Sequence, residues 1–218
     1  MLAIIEQLKE WFDTADLGDA KFLIGRGIQH NVKAGTILLT QDTYPKAVLD
    51  KFGMADARPA KTPAESEAIC AEKKETMSPE DTTLLRSATG SVLYLSRCTR
   101  PDITNSVMVL TRSISKPGPK AMSKLKRVLR YLKRTASIGI IYSDNAKDGD
   151  KLTTYVDSDN AGDQEKEYST TGVVLCLADG PVYKANGGGH LYSRSRLRRH
   201  VQGVRDHLTL SELDEIEY

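Results

Sequence analysis

The 218-residue sequence has no apolar run near the ~18 residues that a membrane-spanning helix requires. Its first residues, Met1-Leu2-Ala3-Ile4-Ile5, meet Glu6 at once, which is not the form of a signal peptide. Cysteine is scarce. Cys70, Cys98 and Cys176 are an odd number, far apart and without a C-x-x-C pair, which argues against a disulfide framework and a structural zinc site. His30, His190, His200 and His207 lack metal-ligand spacing. There is no glycine-rich phosphate loop and no nucleophile elbow, which removes the readiest routes to nucleotide hydrolysis and serine catalysis. Net charge is also small, at +2 from 31 Lys+Arg against 29 Asp+Glu. With 39% hydrophobic and 28% charged residues, the expectation is an ordinary globular chain of one large or two small domains. It is expected to be intracellular, cytoplasmic or nuclear, with no membrane partner.

The charge is unevenly spread. From Lys116 to Ser143 there is no acidic residue, while Lys116, Lys120, Lys124, Lys126, Arg127, Arg130, Lys133 and Arg134 follow one another. Arg112 lies just upstream, and a second basic run spans Arg194 to His200. Acidic residues gather in the first 20 positions, around Glu65–Asp81, in Asp144–Glu167 and at the end. Such segregation suggests one face for a polyanion and other segments built around carboxylates.

Apolar spacing predicts helices over 4–13, 42–52, 80–96, 101–114 and 120–134. In the last of these, Met122, Leu125, Val128, Leu129 and Leu132 form the apolar stripe and basic residues fill the rest. Phe22-Leu23-Ile24 with Ile28, and then Thr36–Thr40, read as a β-hairpin. Pro59, Pro63 and Pro79 mark 58–79 as a linker. Three strand-like runs follow at 152–157, 172–177 and 181–184, and Asn186-Gly187-Gly188-Gly189 reads as a flexible loop.

Three features carry possible chemistry. Thr154-Tyr155-Val156-Asp157-Ser158-Asp159 places Asp157 at the expected end of a strand, where a carboxylate can serve a Mg²⁺ site, since that hard cation takes oxygen ligands on a rigid base. An acidic, solvated turn explains the same residues. Ser211 with Asp214 has an N-cap pattern, and a helix from there would carry Glu217 towards Asp157. An acidic first turn favoured by the helix dipole is the simpler account. The basic helix 120–134 lacks the Glu or Asp partners that support charged surface helices, which points to phosphate; a merely solvated amphipathic face is the alternative.

In order along the chain, these segments resemble the copia-type (Pseudoviridae) retrotransposon Pol polyprotein, from the end of reverse transcriptase into RNase H. Asp16-Leu17-Gly18 through Phe22-Leu23 with Gly25 is similar to D-L-G-x-x-x-[FY]-x-L-G. Leu39-Thr40-Gln41 through Phe52-Gly53-Met54 resembles L-S-Q…F-G-M, and Thr62-Pro63 resembles T-P. Leu85-Arg86-Ser87 through Leu95 is similar to Y-R-S-x-x-G-S-L-x-Y-L. Thr99-Arg100-Pro101-Asp102-Ile103 matches T-R-P-D-I, and Val128 to Lys133 matches I-L-R-Y-L-K. Val156-Asp157-Ser158-Asp159 through Gly172 resembles S-D-A-D-W-A-G-D…R-S-T-S-G, with Asn160 in place of the tryptophan.

The resemblance implies an α+β chain: the end of a reverse transcriptase palm and a thumb-like helical region, then a partial RNase H-like sheet. It divides the chain into a palm end and thumb-like segment (1–57), a linker (58–79), a helical region with the basic helix (80–143) and a truncated RNase H-like domain (150–218). It implies Asp157 and Glu217 as catalytic carboxylates and Mg²⁺ ligands, with Glu215 flanking, and RNA–DNA hybrid or other nucleic acid as partner. Residue composition adds Lys120, Lys124, Lys126, Arg127, Arg130, Lys133 and Arg134 as the nucleic-acid contacts. The departures shape the expectation further. The chain has no Asp-Asp pair for a Y-x-D-D polymerase motif, ends one residue after Glu217, and loses the family pattern between Ala185 and His207. Three readings follow: a Pol fragment inactive by itself and acting with the rest of a Pol polyprotein, a non-enzymatic nucleic-acid-binding module, or an RNase H completed by another chain.

Overall fold

The computed structural model describes residues 2–13, 15, 18–65, 77–115, 117–146, 151–163 and 168–189, with the backbone alone at 2, 3, 5, 6, 8, 157–163, 168–171 and 185–189. It is mixed α and β. Helix α1 (Leu2–Trp11) precedes strands β1 (Phe22–Leu23), β2 (Arg26–Asn31) and β3 (Thr36–Thr40). Helices α2 (Thr43–Lys51) and α3 (Pro79–Cys98), a 3-10 turn (Pro101–Ile103), α4 (Thr104–Ser113) and α5 (Pro119–Arg134) follow. The chain ends its described part in β4 (Ile140–Ser143), β5 (Thr153–Asp163), β6 (Tyr168–Leu177) and β7 (Gly180–Gly189).

The helical stripes seen in the sequence become the core. Leu85, Ala88, Val92 and Leu95 of α3 are buried at i, i+3, i+4 spacing, while Leu84 of the same run faces out at 41% exposure. They meet Val107 and Leu110 of α4, Leu125, Val128, Leu129 and Leu132 of α5, and Val48 and Leu49 of α2. Burying each such side chain contributes about 1.5–3 kcal/mol, so this four-helix contact dominates the stability of the described chain. The start of α3 is set by Ser78, whose hydroxyl accepts from the Asp81 amide at 3.1 Å, with Pro79 at the first helical position. By contrast, α1 leaves Ile4 and Trp11 exposed at 61% and 81%.

Two antiparallel sheets flank the helices, in the orders β1-β2-β3-β4 and β5-β6-β7. The β2–β3 hairpin pairs Gly27 with Thr40 through Asn31 with Thr36. Gly35 turns the chain at φ 60, and the Asn31 side chain accepts from the Ala34 amide at 3.1 Å. Strand β4 was not read from the sequence. It returns after about a hundred residues to pair Leu39 with Ile140 and Thr36 with Ser143, closing the helices between two strands of one sheet. Gly139 permits that return, since a Cβ there would collide with the Leu39 carbonyl oxygen.

The second sheet corrects two expectations. β5 does not end at Asp157 but runs on to Asp163, because Thr170, Thr171 and Gly172 of β6 supply backbone partners opposite Asp159, Ser158 and Asp157. The small residues expected to form a turn are absorbed in a register shift between Asp159 and Asp163. Asn186-Gly187-Gly188-Gly189 is likewise not a loop. It lies in β7, paired with Gly172 back to Ser169, which shows the ladder outweighing the low strand propensity of glycine. The β6–β7 turn places Ala178 and Asp179 at φ 51 and 63, the primed hairpin geometry that matches strand twist. Among the described side chains, this sheet buries Val173 and Leu175 with Leu152 just before β5, and Leu177 and Tyr183 pack against them. It is tied to the first by Ser143 N–H on the Ala178 carbonyl and Tyr142 OH on the Pro181 carbonyl, both at 2.9 Å.

Candidate nucleic-acid interface

Helix α5 enters after Gly118-Pro119 and carries no acidic residue in its first turn. Its apolar stripe, Ala121, Leu125, Val128, Leu129 and Leu132, is seated in the core, which fixes which side faces outward. On that outer side Lys120, Lys124, Lys126 and Arg134 are exposed, and Lys133 is half-buried. The pairs Lys120/Lys124, Lys126/Arg130 and Arg130/Arg134 each stand one helical turn apart, so they repel by about 0.2–0.5 kcal/mol a pair. Lys120 also lies at the positive end of the helix dipole.

Two of the seven residues expected on the interface have work inside the protein. Arg127 donates from Nε to the Thr62 carbonyl at 3.1 Å and from Nη2 to Thr62 Oγ1 at 2.9 Å, and pairs with Glu65. Arg130 donates to the Arg58 carbonyl at 2.6 Å, and the Ala60 amide returns a bond to the Arg130 carbonyl at 3.1 Å. Residues 58–65, the described start of the expected linker, therefore lie strapped along α5 with Ala60 buried. Lys120, Lys124, Lys126 and Arg134 are exposed on the outer side.

The T-R-P-D-I segment forms a buried polar knot at the end of α5. Arg100 is 1% exposed. It bridges Asp102 with both arms, at 3.0 and 2.7 Å, and donates to the Thr135 carbonyl and Oγ1 at 2.8 and 2.6 Å. Tyr131 OH also donates to Asp102 at 2.8 Å, and the guanidinium lies 5.5 Å from the Tyr131 ring centroid. Burial alone would raise the Asp102 carboxyl, but hydrogen bonds and charge from Arg100 outweigh it and hold its pKa below the ordinary value. Burial, then the bond to Asp102, pushes the Tyr131 hydroxyl up. Beside the knot, Thr99 Oγ1 donates to Gln41 Oε1 at 2.8 Å, tying the turn to β3. Lys184 of β7 donates to the Pro101 carbonyl, and burial lowers its pKa to about 8 against a partial offset from Asp102. This knot was quoted in the sequence only as a motif; the odd placement of two opposite charges in an otherwise apolar turn was the available signal.

The side chains of the expected carboxylate site lie outside the described residues. The backbone of Asp157 lies inside β5, opposite Gly172. Glu217, the helix expected from Ser211 and the basic run 194–200 lie outside the described residues. Among the described residues no group of three or more His, Cys, Asp or Glu could hold a metal ion. No described helix is long and apolar enough to cross a membrane.

Sequence relatives agree with this arrangement of motifs. The chain is 31% identical over 180 residues to the retrovirus-related Pol polyprotein from transposon TNT 1-94 of Nicotiana tabacum, covering 80% of this chain and 13% of that protein. An uncharacterized mitochondrial protein of Arabidopsis thaliana is 32% identical over 174 residues, covering 80% of this chain and 70% of that protein. A secreted RxLR effector protein of Plasmopara viticola is 40% identical over 102 residues, covering 47% of this chain and 65% of that protein. No family model and no solved structure matches the chain. The chain belongs to the retrotransposon Pol polyproteins of the copia type. It spans about an eighth of the tobacco Pol polyprotein.

Proposed function

We propose that this chain serves, within the reverse transcriptase and RNase H region of a copia-type Pol polyprotein, to hold an RNA–DNA hybrid or other nucleic acid, with the outer face of α5 on the phosphate backbone. The observation that carries this reading is α5 itself: its apolar stripe is buried, its outer face is cationic, and the helix carries no acidic residue of its own. Lys124, Lys126 and Arg134 make the backbone contacts, with Lys120 and Lys133 at the margins. Arg127 and Arg130 position residues 58–65 beneath them. Phosphate contacts of this kind are independent of sequence and set register rather than specificity. The rest of a Pol polyprotein is the natural partner.

Polymerisation is not assigned to this chain, which has no Asp-Asp pair to hold polymerase metals. For RNA-strand cleavage, Asp157 and Glu217 would be the Mg²⁺ ligands, and the bound metal would activate water and stabilise the leaving oxygen. Their oxygen chemistry suits the cation, and the side chains of both lie outside the described residues. Holding nucleic acid, without cleavage by this chain alone, is the function proposed. Charge reversal at two exposed positions, Lys124→Glu/Lys126→Glu, tests it in the full chain. Binding of an RNA–DNA hybrid should fall by at least tenfold with the melting temperature unchanged; undiminished binding would sink the reading.

A further inference from the structure

A cleft of about 500 Å³ opens where the first sheet, α3, the start of α4 and β7 meet. That volume lies within the roughly 300–1,000 Å³ of small-ligand sites. Among the described residues three cations line it, Arg26 of β2, Arg97 of α3 and Lys184 of β7, and no carboxylate does. Asp102, the acid beside Pro101, is held by Arg100 and Tyr131 and does not line the cleft. Among the described residues neither Arg26 nor Arg97 forms an ion pair.

Among the described residues, two buried polar atoms of residues that line the cleft lack a hydrogen-bond partner: Arg26 Nε and Thr104 Oγ1. Orphaned buried donors are rare, and each costs about 1–3 kcal/mol unless something meets it. Here both orphans belong to residues of one cleft whose charged groups are all positive. Tyr142 and Tyr183 supply adjoining walls. The arrangement matches an oxyanion: a guanidinium edge, a hydroxyl and a lysine, with aromatic surface beside them.

We infer that this cleft binds a phosphate-class oxyanion through Arg26, Arg97 and Lys184, with Thr104 Oγ1 donating to it. The site is separate from the outer face of α5 and does not depend on the function proposed for that face. The depressed basicity of Lys184 gives an independent signature. An anion in the cleft favours the ammonium form, so binding takes up protons near pH 8 and weakens as pH rises above it.

Isothermal titration of the full chain with orthophosphate, pyrophosphate and a short single-stranded oligonucleotide tests this. The probes should bind the native chain with affinity falling above pH 8. Arg97→Gln, at an exposed position, should weaken binding about tenfold, as expected for loss of one charged hydrogen bond. Thr104→Val should weaken it without moving the melting temperature by more than a few degrees. Equal molar affinity for pyrophosphate and oligonucleotide identifies a free anion as the ligand, and clearly tighter oligonucleotide binding that Arg97→Gln weakens identifies a nucleic-acid phosphate. Absence of phosphate binding, or binding unmoved by Arg97→Gln and Thr104→Val, would overturn the inference. Oligonucleotide binding lost only in Lys124→Glu/Lys126→Glu would overturn it too, while leaving the α5 reading intact.

Discussion

The two members of the buried ion pair should not be equivalent on removal, and the difference follows from their exposure. Arg100 has 1% of its side chain exposed and Asp102 has 30%. Asp102→Ala removes both carboxylate bonds and leaves a guanidinium that cannot reach water, with only Thr135 to satisfy it. Breaking a buried pair in this way costs about 3–5 kcal/mol. Arg100→Met removes the same two bonds, but the carboxylate left behind is partly hydrated and keeps the Tyr131 hydroxyl. The methionine refills most of the apolar volume, and the Thr135 carbonyl keeps the Ile138 amide at 3.1 Å, so the loss should be about 1.5–3 kcal/mol, the scale of hydrogen bonds to a charged group. The double variant should cost less than the sum by more than ~0.5 kcal/mol, because the two residues share one network. Urea unfolding followed by far-ultraviolet circular dichroism measures all three. Arg100→Met costing more than Asp102→Ala, or simple additivity, would refute the argument.

Lys184 gives a pH prediction. Its folded pKa of about 8 lies below the usual 10.5, so folding penalises the charged form at low pH and the penalty fades as pH rises between those values. Stability should therefore increase from pH 7 to 9.5 by on the order of 1 kcal/mol after solvent screening, and Lys184→Met should abolish the rise in a thermal melt series; a flat native profile would contradict it. At the close approach of β4 to β3, Gly139→Ala sets a Cβ against the Leu39 carbonyl, and should lower stability by about 2 kcal/mol while loosening amide protection at Ile140 to Ser143 in hydrogen exchange. Unchanged exchange there would show that the strand return needs no glycine. With Mg²⁺ present, the chain by itself should leave an RNA–DNA hybrid intact, as should Asp157→Asn; cleavage that vanishes in the variant would reveal an assembled nuclease site.

The helices were legible because their chemistry is local. In α3 and α5 the residues that alternate at 3.6-residue spacing are those the core buries, and Ser78-Pro79 announces a helix start. What escaped was pairing at a distance. Nothing near Ile140 says that it will meet Leu39, since that ladder depends on five intervening elements bringing the chain back. The glycines of β7 misled for a related reason: their propensity argues for a loop, but β6 offers a waiting row of backbone partners. In the interface, the sequence displayed seven cations on one helix and could not say that Arg127 and Arg130 reach back to Thr62 and Arg58. The T-R-P-D-I motif was visible as letters, while its role as a buried knot required Thr135 and Tyr131 to be placed beside it.

The reading that α5 holds nucleic acid through its phosphates requires binding that weakens with salt. Its most direct test is the salt dependence of binding of a fluorescent RNA–DNA hybrid to the full chain, read by anisotropy. With Lys124, Lys126 and Arg134 as contacts, the slope of log K against log salt should be about −3, falling towards −1 in Lys124→Glu/Lys126→Glu. Binding that is flat across salt, or a slope that the charge reversal leaves unchanged, would contradict the account.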